Sequence, residues 1–309
     1  MKNKILITGS CGFIGSNFIR KTIYEKISNI CSIDRLDNDS GSFNFYQNKS
    51  HSFYIGNILD KKLLDAVFKF ENPNIVLHLA ESKNPEEAIS ENGIVTLNLL
   101  QKCKQYNVNK FILGSTTHVY GSTSKESSYL FKEEDHCNPN TLYDISKLNS
   151  EQIVRKFCQE NKLNYNIFRI CDVYGQRQNT DYFIPSLLKS LTQTNSCEIN
   201  GDGSNVREWM HVSDVCSAII FLIQNARENE IYNISSGYEF SFLEIAQIVL
   251  KNFSNPTLYH NKNSINIERV SSSNDKLKKL GWSPSIKIRS GIEETFQWYN
   301  NNKWFLNRG

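Results

Sequence analysis

The sequence predicts an α/β protein built on a doubly wound parallel sheet, with a smaller mixed α/β portion toward its C-terminus. Two observations carry this. Apolar runs such as NIVLHLA and KFILGS are continuous rather than alternating, as in strands covered on both faces. Short apolar runs also alternate with longer amphipathic ones through the first half, and a repeated strand–helix–strand order implies parallel strands joined by crossover helices.

The elements follow in order. KILIT at 4–8 is a strand that runs straight into a glycine-rich turn, and residues 12–27 form the amphipathic helix after it. ICSID at 30–34 is a strand ending in an acid, and 52–55 is a further short strand. A helix at 61–70 precedes the strand at 75–79, and a long helix at 86–106 precedes the strand at 111–115. A helix at 142–160 leads to the strand at 166–170. Past Gly175 the pattern loosens: polar turns such as NGDGSN separate short elements, and LGWSPSIKIRSG precedes a last helix around 292–300. Residues 212–226 read as helix and the following stretch to 234 as strand, so the chain is expected to return to the main sheet.

Composition excludes several classes. A chain of 309 residues with 39% hydrophobic and 22% charged residues is globular. Its net charge of +3 comes from 35 basic against 32 acidic residues. That balance, with no long basic run, argues against a nucleic-acid partner. The eight cysteines include no C-x-x-C pair and are read as reduced thiols of a cytoplasmic protein. The opening MKNKILITGS enters a strand at once, so no secretory leader is expected. No run approaches about 18 uninterrupted apolar residues, so no membrane partner is expected. The histidines lack metal-ligand spacing, and no metal is expected.

Three patterns carry chemistry. In ILITGSCGFIGSNFIRK, Gly9, Gly12 and Gly15 lie between a strand and a helix, where free N–H groups and the helix dipole favour a pyrophosphate. Asp34, about 20 residues beyond the last glycine, can accept from both ribose hydroxyls and would repel a 2′-phosphate, which favours NAD over NADP. Tyr143 and Lys147 stand four apart, on one face of a helix. A phenol titrating at about 10 is a poor base at neutral pH, and a neighbouring ammonium and a cationic nicotinamide are both expected to lower that value. The third pattern, STTHVYG at 115–121, sets three hydroxyls and an imidazole at the end of a buried strand, without a carboxylate.

TGSCGFIG, STTHVYG, YDISK, RICDVYGQRQ and GDGSNVREWMHVSDV together resemble the extended short-chain dehydrogenase/reductase family, in its NAD-dependent epimerase/dehydratase branch. The resemblance runs over nearly the whole chain, to LGWSPSIKIRSGIEETFQWY. It implies a Rossmann-like NAD-binding domain over 1–174, rejoined at about 208–235. A nucleotide-sugar-binding domain would comprise 175–207 and 236–309. It also implies NAD as cofactor, a nucleotide-diphosphate sugar as substrate, oxidation of the sugar C4 hydroxyl, and a homodimer paired through helices 86–106 and 142–160. By this resemblance Thr116 hydrogen-bonds the C4 oxygen, Tyr143 is the base, and Lys147 tunes it and holds the nicotinamide ribose. Gly9, Gly12, Phe13, Ile14, Gly15 and Asp34 hold the cofactor. Asn57 and Ile58 meet the adenine edge, with Asn57 where the family usually has Asp. Leu79, Ala80 and Lys83 lie beside the pyrophosphate and Asn92 on the cofactor side. Thr117 and Asp172 face the substrate, and Arg207 and Arg269 clamp its diphosphate through planar forks.

Dehydratase members that this chain resembles carry Thr-Asp-Glu before VYG. Here the same places hold Thr116, Thr117 and His118. The C4 hydroxyl partner survives and both carboxylates are absent, which points to C4 oxidation without the standard elimination machinery. Three outcomes stay open: 4-epimerisation, release of the 4-keto sugar by a 4-dehydrogenase, or an atypical 4,6-dehydration or neighbouring-carbon epimerisation using His118 as acid or base. Epimerisation is favoured, and Lys83 also resembles the 4-epimerases. A non-catalytic NAD-binding scaffold is the alternative of another class, and retention of Thr116, Tyr143 and Lys147 argues against it. Asp172 replaces an asparagine that faces the diphosphate. Its carboxylate needs a partner, for which Arg177 is the candidate.

Overall fold

The computed structural model describes residues 3–26, 29–36, 51–82, 84–124, 127–261 and 268–306. Its strands are β1 (Lys4–Thr8), β2 (Asn29–Asp34), β3 (His51–Ile55), β4 (Ile75–His78), β5 (Lys110–Thr116), β6 (Asn164–Ile170), β7 (Asp172–Tyr174), β8 (Ser196–Asn200), β9 (Val206–His211), β10 (Glu230–Ile234), β11 (Glu239–Ser241), β12 (Thr257–Asn261) and β13 (Arg269–Val270). Its helices are α1 (Phe13–Tyr24), α2 (Lys61–Glu71), α3 (Pro85–Gln105), α4 (Leu142–Asn161), α5 (Phe183–Thr194), α6 (Val212–Asn225), α7 (Phe242–Leu250), α8 (Asp275–Lys279), α9 (Ile288–Asn301) and α10 (Lys303–Leu306).

Seven strands form one parallel sheet in the order β10-β6-β5-β4-β1-β2-β3. The chain winds from β1 to one edge and then returns through β4 to the other. β10 extends that second edge beside β6. The order therefore reverses between β1 and β4, and the crevice at the strands' C-terminal ends there is where such sheets bind ligands.

Both faces of the sheet are covered, which explains the continuous apolar strands. Along β1, Ile5 and Ile7 join a core with Phe18 and Ile19 of α1 and Val215 and Ile219 of α6. Leu6, between them, packs on the opposite side with Leu64 and Phe68 of α2, Leu99 of α3 and Val154 of α4. Each such side chain, fully buried, contributes about 1.5–3 kcal/mol.

Helix starts follow from local caps. Asp60 accepts from the N–H groups of Lys62 and Leu63, and Asn84 accepts from Glu86 and Glu87 with Pro85 at the first helical position. α1 begins one residue later than the sequence predicts because Gly12 serves as its cap, and residues 27–28 lie outside the described set.

The remaining strands make smaller sheets: β9 pairs with β7, β11 and β13, and β8 pairs with β12. Helices α5, α7 and α9 enclose their own core of Ile184, Leu188, Trp209, Ile245 and Tyr299. α5 and α7 were not anticipated by the looser pattern beyond Gly175. Buried Glu208 ties the parts together, accepting from Ser235 Oγ, Gly237 N, Ser272 N and Ser272 Oγ. None of the eight cysteines is in a disulfide, and seven are buried. Among the described residues no helix is long and apolar enough to cross a membrane.

Candidate active site

The glycine-rich turn leaves β1 at the crevice. Gly9 has φ +72°, and a Cβ there would sit 2.6 Å from Ala80 N. A Cβ on Gly15 would sit 2.2 Å from Gly9 O. The turn is thus folded tightly on itself and against the loop after β4, which glycine alone permits. Gly12 caps α1 without a side-chain hydrogen bond, so the helix presents bare N–H groups at its start. Ser10 Oγ is buried in the same turn with no hydrogen-bond partner. Phe13 and Ile14 open the helix. Asp34, at the end of β2, accepts from Cys11 N at 2.8 Å and Leu36 N at 3.0 Å. Asn57 and Ile58 follow β3. Asn57 Oδ1 accepts from Leu59 N at 2.9 Å, leaving one lone pair for a second donor.

β4 ends beside this turn. Leu79 N donates to Thr8 O, and Ala80 N to Thr8 Oγ1, both at 3.2 Å. His78 is buried between Thr8 and Thr96, 2.7 and 3.3 Å away. Thr96 donates to Asn92 O, so it can only accept from His78. The ring is then the Nε2–H tautomer, and burial holds its pKa down at about 3. Asn92 faces the loop after β4. Both its N–H groups are engaged within the protein, by Ser82 O and Ser146 Oγ, and its oxygen accepts from Ser82 N. It clips the β4 loop to α4. Lys83 lies outside the described residues.

α4 begins at Thr141, whose Oγ1 accepts from Asp144 N, and carries Tyr143 and Lys147 toward the β4 loop. Glu81 meets both. Tyr143 OH donates to Glu81 Oε1 at 2.5 Å, and Lys147 Nζ donates to Glu81 Oε2 and, at 2.5 Å, to Gly114 O. Sequence reasoning missed Glu81. Its only signal was an acid in HLAESK, just past a central strand. Its effect reverses an expectation: burial, then the Glu81 carboxylate, push the Tyr143 pKa well above its ordinary value. Burial is the larger cause and the Glu81 carboxylate adds to it, so the phenol is shifted up rather than down.

Two residues on from Gly114, Thr116 ends β5, half-buried, and its Oγ1 accepts from His118 N at 3.2 Å. The chain then turns through a 3-10 segment, Thr117–Tyr120. This turn buries Thr117 to 2% exposure, so the substrate-facing role expected of it is not supported by its position. His118 Nε2 lies 3.1 Å from Asp172 Oδ2 on β7. Desolvation favours neutral His118, but Asp172 outweighs it and the net shift is upward; desolvation would raise Asp172 as well, yet His118 and Arg207 hold it low. An upward shift favours the protonated ring, and a protonated ring donates rather than accepts. Asp172 is therefore paired, but not by Arg177, whose guanidinium lies over the Trp298 ring at 5.0 Å.

Arg207 and Arg269 stand on paired strands β9 and β13. Arg207 donates to Glu268 at 3.3 Å and lies 4.0 Å from Asp172. Arg269 pairs with Glu239 at 2.6 Å and donates to Tyr129 O at 2.5 Å. The structure thus brings both arginines to one sheet, each facing a carboxylate. No group of three or more potential metal ligands occurs among the described residues.

The arrangement combines a dinucleotide turn, a Tyr–Lys pair one helical turn apart and a threonine at the neighbouring strand end. The model of the NAD dependent epimerase/dehydratase family matches residues 5–235. The chain belongs to this family. It is an enzyme family, and NAD is its cofactor. The bare cap at Gly12, the unpartnered Ser10 Oγ and the collapsed Gly9–Gly15 turn fit that cofactor. The chain is 32% identical to a dTDP-D-glucose 4,6-dehydratase of Dictyostelium discoideum, over 98% of this chain and 83% of that one. It is 30% identical to a putative UDP-glucose 4-epimerase of Methanocaldococcus jannaschii, over 96% and 99%. The crystal structure of dTDP-glucose 4,6-dehydratase from Bacillus anthracis in complex with NAD superposes with TM-score 0.90 at 28% identity, covering 98% of each chain. Family members similar to this chain thus run different reactions.

Proposed function

We propose that this enzyme oxidises the C4 hydroxyl of a nucleotide-diphosphate hexose and re-reduces the 4-keto sugar from its other face, acting as a 4-epimerase. The observation that carries the reading is the end of β5: Thr116 offers a hydroxyl, while Thr117 and His118 offer no carboxylate for elimination. Thr116 would hold the C4 oxygen, Tyr143 would exchange its proton, and Lys147 would anchor the cofactor side. Bound NAD would supply the hydride acceptor and donor for C4. Asp34 would accept from the adenosine ribose, and Arg207 and Arg269 would exchange their carboxylate partners for the substrate diphosphate. Residues 175–207 and 236–309 would form the sugar-nucleotide portion. A homodimer through α3 and α4 fits the exposed Ile94 and Leu97 on one helix and Ile145 on the other. Eight cysteines outside any disulfide fit a cytoplasmic setting.

The His118–Asp172 contact favours one second reading, 4,6-dehydration with His118 as proton donor. Incubation with NAD and a panel of dTDP- and UDP-hexoses separates the readings. A C4 epimer without net NADH supports the proposal. A 6-deoxy-4-keto product supports dehydration, accumulating NADH a dehydrogenase, and no turnover with any sugar a scaffold.

A further inference from the structure

The Tyr143–Glu81–Lys147 cluster joins three ionisable groups on one carboxylate. The contacts span 62 and 66 residues of sequence, so the fold, not the helix alone, builds them. Lys147 directs one N–H at Gly114 O and another at Glu81. Its charge is therefore paired before it can act on the phenol. Glu81 is within direct hydrogen-bond reach of Tyr143 and accepts from its hydroxyl. We propose that Glu81 is a positioning residue that holds Tyr143 in its protonated form by occupying Lys147, so that this carboxylate, and not the lysine alone, decides when the phenol becomes a base.

The surroundings are consistent with this assignment. Among the described residues, the other ionisable groups facing Tyr143 are Asp144 on α4 and Tyr182 ahead of α5. Neither is cationic, so neither substitutes for the ammonium that Glu81 occupies. His78, which lies near Glu81, is neutral at working pH. The Glu81 side chain is 18% exposed while that of Lys147 is 6% exposed. The carboxylate is thus the member of the pair that solvent or an incoming ligand reaches first. Loss of its charge, by protonation or by displacement from Lys147, would free the ammonium to stabilise the phenolate.

The inference rests on Tyr143 being the acid–base group of the proposed reaction, but its test needs no sugar and no cofactor. The near-ultraviolet tyrosinate band is titrated in the full-length protein, and the matching Tyr143→Phe protein is subtracted to isolate this one phenol. In the wild type Tyr143 titrates above the ordinary value of about 10. In Glu81→Gln, which keeps the shape and removes the charge, the midpoint falls by about one to three pH units. Adding Lys147→Met to Glu81→Gln returns it upward, because the freed ammonium is then gone. A second and separate readout, with a nucleotide sugar the enzyme accepts, is the acid limb of the turnover-against-pH profile, which moves down in Glu81→Gln by the same amount. A wild-type phenol titrating at or below the ordinary value overturns the proposal without recourse to any Glu81 variant. So does a midpoint that is unchanged or raised in Glu81→Gln, or one that stays low in the double variant. Absence of turnover with every nucleotide sugar would instead sink the proposed function and leave the titration intact.

Discussion

Replacing Arg169 with methionine tests the support beneath the catalytic strand. Arg169 on β6 and Glu151 on α4 are 3% and 1% exposed. Glu151 accepts from Arg169 Nη2 at 2.7 Å, from Arg169 Nε at 3.0 and 3.2 Å, and from Ser115 Oγ at 2.5 Å. Ser115 precedes Thr116, so the pair fastens α4 to the end of β5 where the candidate site is built. Arg169→Met leaves Glu151 charged, buried and held by one hydroxyl. Breaking such a pair costs about 3–5 kcal/mol. With an unfolding entropy of roughly 2.1 cal/mol/K per residue, a chain of this length should lose about 5–8 °C in melting midpoint. Thermal and urea melts measure the loss. Adding Glu151→Leu should recover most of it, because an apolar pair carries no stranded charge. A midpoint within about 1 °C of wild type for Arg169→Met, or a double variant less stable than the single one, would refute the reasoning.

Tyr143→Phe should lower turnover by about a hundredfold or more while NAD still binds, as product assays and cofactor titration by fluorescence would show. Gly15→Ala places a methyl 2.2 Å from Gly9 O. It should cost about 1–3 kcal/mol of stability and weaken NAD binding, and unchanged binding would contradict the turn's role. His78 is neutral in the fold with its pKa pushed down to about 3, so the unfolded chain binds the extra proton. Its contribution is fully present above about pH 6.5 and is lost as pH falls from there toward 3, at about 1.36 kcal/mol per pH unit. Urea midpoints from pH 7 to 4 should fall less steeply in His78→Gln, and parallel slopes would contradict this.

The main sheet was legible because its strands are covered on both faces and therefore read as unbroken apolar runs. The glycine turn, Asp34 and the Tyr143–Lys147 pair were legible because each depends on spacing within one or two elements. What escaped the sequence was set by contacts between distant segments. Glu81 reaches Tyr143 across 62 positions and Asp172 reaches His118 across 54. Hence the phenol expected to be acidified by Lys147 and a cationic nicotinamide is shifted upward by burial and Glu81. Hence also Asp172 found His118 and Arg207 rather than Arg177. Asn92 matched a cofactor-side position, yet its hydrogen bonds turn it into a clip between the β4 loop and α4. Thr117 shared its neighbours' motif, but a 3-10 turn buried it. Helices α5 and α7 went unread because short elements and polar turns broke the periodicity beyond Gly175.

The most direct measurement follows a deuterium placed at C4 of a nucleotide hexose that the enzyme accepts. The hydrogen removed on oxidation must come back to the same carbon if the 4-keto sugar is re-reduced within the site. The account predicts a C4-epimerised product with the deuterium retained at C4. A product with deuterium at another carbon, or with none, would contradict it.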